Sequence, residues 1–127
     1  MNPNEVLDRV PFDYVVGGTA AAPLGSTLTL SIALDADREF EWVWIVGSRT
    51  SPLLTVLVTD GATGKTLSNG PIDFDNWAGT GPLPFPLVEP WVLAPGSTLT
   101  FNFVNNSTAL NVIQIVLRGY KLQRRAA

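Results

Sequence analysis

From Ser26 to Leu34 the chain alternates. Leu28, Leu30, Ile32 and Leu34 are apolar, and Thr27, Thr29, Ser31 and Ala33 between them are small or hydroxylated. One apolar face and one hydroxyl-rich face is the pattern of a half-buried antiparallel strand. The same period recurs in Phe40, Trp42, Trp44 and Val46, which alternate with Glu41, Val43 and Ile45. That spacing places Trp42 and Trp44 together on a core-facing side. Leu54, Val56 and Val58 alternate with Thr55, Leu57 and Thr59, and Leu99, Phe101 and Phe103 with Thr98, Thr100 and Asn102. Leu110 to Tyr120 is apolar on both faces and rich in β-branched residues, as a central core strand requires.

Turn chemistry separates these runs: Gly17-Gly18, Pro23 to Ser26, Gly47 to Pro52, Asp60 to Gly64, Ser68 to Pro71 and Ala94 to Ser97. Ten prolines and eleven glycines in 127 residues leave no window for a well-capped helix. The pattern predicts a single all-β domain, a sandwich or barrel of short strands. The stretch Gly79 to Pro86 holds three prolines, which cannot donate to a ladder, so it reads as a long ordered connection. The first ten residues and the basic tail Lys121 to Ala127 are weakly patterned and read as short N- and C-terminal arms around a core of about residues 10–122.

Composition narrows the chemistry. With 8 Lys and Arg against 11 Asp and Glu the net charge is −3, so no basic stripe offers itself to a nucleic-acid backbone. Cysteine and histidine are both absent, which removes disulfides, thiolate nucleophiles, the usual zinc ligand sets and the commonest general base. No cofactor is expected. No apolar run reaches the roughly 20 residues of a membrane span. The polar start Met1 to Glu5 lacks the basic and apolar regions of a secretory signal.

Several near-motifs fail on their own terms. Gly61-Ala62-Thr63-Gly64-Lys65-Thr66 resembles a phosphate loop, but Thr59 stands where its first glycine belongs and no helix can follow. A hairpin loop over Asp60–Gly64 is expected instead. Asp35, Asp37 and Glu39 lack the glycine bend of a calcium loop and read as a solvated corner. Asp73 and Asp75 flank Phe74 in a strand-like stretch, so they share a face without a visible sugar cleft. Serine without histidine cannot make a triad, and the expectation is a chain that is not an enzyme.

The remaining candidates are contact residues. Trp77, Phe85 and Trp91 lie in or beside the proline-rich connection, where they serve either as anchors for a partner or as caps on the end of the sandwich. A carbohydrate platform is a further use of the same rings. Arg124 and Arg125 in the tail could pair with an acidic surface.

Four stretches carry a resemblance. They are Phe40-Glu41-Trp42-Val43-Trp44-Ile45, Val56 to Pro71, Pro84-Phe85-Pro86-Leu87-Val88-Glu89-Pro90, and Ile113 to Lys121. In layout and phrasing, over about residues 10–122, the chain resembles the cement (decoration) proteins that tailed bacteriophages place outside their capsids. The resemblance implies a jelly-roll-like antiparallel β-sandwich on the outer capsid surface of the virion. It also implies a dimer or trimer whose partner is the major capsid protein, and whose interface would draw on Trp77, Phe85, Trp91, Arg124 and Arg125. Related phrasing in tail and fibre components leaves a carbohydrate- or receptor-binding module as the alternative.

Overall fold

The computed structural model describes residues 5–126. In chain order they form β1 (Glu5–Ala22), β2 (Thr27–Ala33), β3 (Glu39–Arg49), β4 (Leu54–Asp60), β5 (Ile72–Asp73), the helical turn α1 (Phe74–Trp77), β6 (Phe85–Leu93), β7 (Thr98–Asn105) and β8 (Asn111–Ala126). Two four-stranded sheets result, ordered β1-β8-β3-β6 and β2-β7-β4-β5, and their strands pair antiparallel. The first strand lies beside the last and the second beside the seventh, which is the order of an eight-stranded jelly roll. The expected antiparallel β-sandwich is therefore the fold.

The alternating strands supply the core between the sheets. Val56 and Val58 of β4, Leu99, Phe101 and Phe103 of β7, and Ile113, Ile115 and Leu117 of β8 are buried, while their odd-phase neighbours face outward. Phe40 and Trp42 of β3, in the same sheet as β8, face the β4 and β7 residues of the other sheet, with Tyr14 packed edge-on against Phe40 at 4.8 Å. Fully burying each such side chain contributes roughly 1.5–3 kcal/mol, so this layer is the main source of stability.

Four expectations need correction. Trp42 is fully buried, but Trp44 is only partly so. The register of β3 shifts against both neighbours between these residues, leaving Val43 as the extra residue of a bulge and reversing the phase after it. Opposite the bulge, a Cβ on Gly119 would overlap the carbonyl oxygen of Glu41, so glycine lets β8 press against β3. Gly17 and Gly18 do not turn the chain. They sit in β1 at positive φ, where its register against β8 shifts.

The ends are not free arms across the described residues. β1 and β8 pair from Glu5↔Ala126 to Ala22↔Asn111, although residues 1–4 and 127 of the expected arms lie outside the described residues. Their weak patterning reflects polar pairing: Arg125 binds Asp8 at 2.6 Å, Arg124 binds Glu39 at 3.1 Å and Arg9 binds Glu41 at 3.0 Å. Lastly, the connection before β6 is shorter than expected, because Phe85 and Pro86 already belong to that strand. Prolines are tolerated there since β6 is an edge.

Candidate functional site

Trp77 of α1 and Phe85 and Trp91 of β6 line one cleft of about 520 Å³. One wall is β6 from Phe85 to Trp91, and the other is the Lys65–Leu67 segment after β4, with Asn76 and Trp77 of α1 at its base. The helical turn exists because Asp73 caps it, its carboxylate accepting from the Asp75 amide at 2.9 Å. Phe74 and Trp77 then point into the sandwich and are buried.

Trp77 is thus a core residue, 7% exposed, rather than a loop anchor. It meets Trp42 and Phe101 at tilted angles, each 6.4 Å between centroids. Its indole nitrogen is nevertheless buried without a hydrogen-bond partner. Trp91 is half-buried and stacks on Trp42 at 6.0 Å, while the Lys65 ammonium lies 5.0 Å over its ring. With Trp42 against the ring and Lys65 over it, Trp91 is not an open platform for a sugar. Of the three rings only Phe85 is exposed.

Phe85 belongs to a wider apolar edge. Between Trp91 and Pro86, β6 leaves the register of β3, and Val88 at the excursion is fully exposed. Leu83 before the strand and Val92 within it are exposed as well. Pro86 and Pro90 remove donors along the same strand, so this edge offers side chains more than a ladder for another strand.

A second apolar surface was not foreseen. Leu24, Leu53 and Leu110 are all exposed, one in each of the connections β1–β2, β3–β4 and β7–β8. Two buried asparagines tie these connections together. Asn105 donates to the carbonyls of Ala22 and Pro23 at 3.0 and 3.1 Å and of Ala109 at 2.9 Å. Asn111 accepts from the amides of Thr50 and Ser51 at 3.2 and 3.1 Å and donates to the Ser51 carbonyl at 2.8 Å. The Asn106 amide adds a bond to the Leu53 carbonyl at 2.9 Å. Leu53 also has φ +60°, the one positive value outside glycine among the described residues. The signal available in the sequence for two of them was a leucine directly after a turn proline, Pro23-Leu24 and Pro52-Leu53.

Arg124 and Arg125 lie along β8 beyond the Glu39↔Leu122 pair, and their ion pairs hold strands together. Asp35, Asp37 and Asp75 are similarly engaged. Lys121 reaches Asp35 at 2.7 Å and Asp37 at 3.3 Å, and its ammonium lies 4.3 Å over the Phe12 ring. The Asp35 contact holds Lys121 above the usual lysine pKa, and burial holds the adjacent Tyr14 above the usual phenol value. Asp75 binds Arg49 at 2.6 Å, a contact that lowers its pKa, and it does not share a strand face with Asp73. The Asp60–Gly64 hairpin is present: Gly64 donates to the Asp60 carbonyl at 2.8 Å and Thr59 bridges Thr66. No group of three or more acidic side chains is placed to hold a metal among the described residues, and no helix among them is long and apolar enough to cross a membrane.

A scan against models of known protein families matches none, and no curated protein matches the sequence.

Proposed function

We propose that the chain is a structural protein of a bacteriophage virion, bound to the outside of the capsid and stabilising contacts between major capsid protein subunits. The observation that carries this reading is a pair of apolar surfaces on one tightly knit sandwich. One is formed by Leu24, Leu53 and Leu110 at an end, and the other by Leu83, Phe85, Val88 and Val92 along the β6 edge. A molecule that bridges two subunits needs two such surfaces held at fixed separation, and the paired asparagines and the β1–β8 ladder provide the rigidity. Each half-exposed side chain adds only about 1 kcal/mol on burial, but repetition over a shell makes weak contacts effective. No nucleic acid, membrane or cofactor enters this role, and no catalysis is assigned. The test is virion heat resistance with and without the gene: its deletion should lower the temperature at which packaged particles release DNA. Unchanged release would refute the assignment.

A carbohydrate- or receptor-binding module of a tail or fibre is the second reading, favoured by the unpartnered Trp77 indole N–H beside the cleft. It requires Lys65 to leave the Trp91 ring. Tryptophan fluorescence that stays constant across a glycan panel would remove it.

A further inference from the structure

Strand β2 ends its sheet, and its outer side is the one edge of the described sandwich left unguarded. Natural sheets blunt their edges with prolines, charges, bulges or brevity, because unpaired amides and carbonyls recruit other strands. β1 carries Pro11, Asp8, Arg9 and Asp13 and is irregular between Gly17 and Ala20. β6 carries Pro86 and Pro90 and leaves register between Trp91 and Pro86. β5 is two residues long. β2, Thr27–Ala33, has no proline, no charge and no bulge along its pairing with β7.

The direction of its free backbone groups follows from the ladder. Asn105 donates to the Ser26 carbonyl at 2.9 Å and Leu34 donates to the Ser97 carbonyl at 2.8 Å, which fixes the phase of hydrogen-bonded pairs. By alternation, Leu28, Leu30 and Ile32 turn their backbone groups toward β7, and Thr27, Thr29, Ser31 and Ala33 turn theirs toward the open side. The side chains of Leu28, Leu30 and Ile32 are only partly buried.

We propose that β2 is the contact through which two copies of this chain pair, antiparallel and related by a two-fold axis, joining their β2-β7-β4-β5 sheets into one eight-stranded sheet. An antiparallel strand is its own complement: each outward N–H meets a carbonyl of the copy. Charge points to the same occupant. A two-fold contact brings each residue near the axis close to its own copy, so a charged edge would repel itself. No charged residue occurs from Tyr14 to Leu34, and the outward residues beside β2, namely Thr98, Thr100 and Asn102 of β7, are neutral too. This pairing does not depend on the capsid assignment.

The test is the mass of the full chain in solution by sedimentation velocity, alongside Ser31→Pro and Thr29→Lys. Proline at position 31 deletes an amide that β7 does not use, and it is tolerated on an edge strand. The wild-type chain should sediment at twice the chain mass. Each variant should weaken the dimer by at least about tenfold and keep the wild-type circular dichroism. Amide exchange supplies a check that needs no variant: Thr27, Thr29, Ser31 and Ala33 should exchange more slowly in concentrated than in dilute protein. A monomer, a trimer, a dimer that survives Ser31→Pro, or concentration-independent exchange at these amides would overturn the proposal. Binding of a foreign strand to β2 by an otherwise monomeric chain would overturn it as well.

Discussion

The side-chain amide of Asn105 donates to the main-chain carbonyl of Ala22 at 3.0 Å, across 83 positions of sequence. The same nitrogen serves Pro23 and Ala109, and its oxygen accepts from the Ser107 amide and hydroxyl at 3.1 and 2.6 Å. One fully buried side chain therefore sets the spacing of two connections that carry exposed leucines. Asn105→Ala leaves buried carbonyls without donors and should cost about 3 kcal/mol. That corresponds to a fall in Tm of roughly 10 °C for a domain of this size. Calorimetry measures it, and a fall under about 2 °C would show that the network is dispensable.

Leu53 is held in the left-handed region with most of its side chain in solvent. That conformation costs a non-glycine residue about 1–2 kcal/mol, and little burial offsets it. Leu53→Gly should accordingly leave Tm unchanged or slightly higher while lowering retention on capsids several-fold. A variant that loses stability and keeps binding would reverse the roles assigned to this position.

Gly119→Ala should be among the most damaging single changes, because the new methyl meets main chain rather than a flexible side chain. Backbone displacement in a central strand next to the Val43 bulge should cost about 3 kcal/mol or more. Denaturant unfolding gives the value, with Gly61→Ala as a milder comparison, since its methyl would lie 3.0 Å from the Thr98 carbonyl oxygen.

Alkali should loosen the end of the sandwich that carries Lys121. Lys121 has a folded pKa above its unfolded one, so its contribution is complete below about 10.4 and disappears as pH rises through the folded value. Tyr14 also holds its proton more tightly when folded, so the unfolded phenol ionises first above about 10 and draws the equilibrium toward unfolding. Tm should hold between about pH 7 and 9 and fall beyond about 10. In a Tyr120→Phe background, phenolate absorbance reports Tyr14 alone and should rise later in the folded chain than in urea. Coincident titrations would contradict the burial of its hydroxyl.

Much of this fold was legible because alternation is a direct image of a half-buried strand. Leu28 to Leu34, Leu54 to Val58 and Leu99 to Phe103 stand where their period placed them. What was hidden depends on partners that one sequence does not display. The Val43 bulge is set by the close approach of Gly119, so the reversal that turns Trp44 outward has no local marker. β1 and the end of β8 pair through ions 117 positions apart, such as Asp8 with Arg125. β6 reads as a connection because its prolines are compatible with an edge and with nothing more central. The cleft was half legible: the three rings do converge, but the capped turn at Asp73 buries Trp77, and the leucine-bearing connections went unnoticed.

The most direct measurement of the central claim is co-sedimentation with empty, expanded capsids of the phage to which the proposed function assigns the chain. Wild-type protein should pellet with the capsids and saturate at a fixed ratio to the major capsid protein. Phe85→Ser with Val88→Asp, and Leu24→Asp with Leu110→Asp, should each reduce the bound fraction at least about tenfold with Tm unchanged. Wild-type protein that stays in the supernatant at every concentration, or binding that neither double variant alters, would contradict a clamp built on these two surfaces.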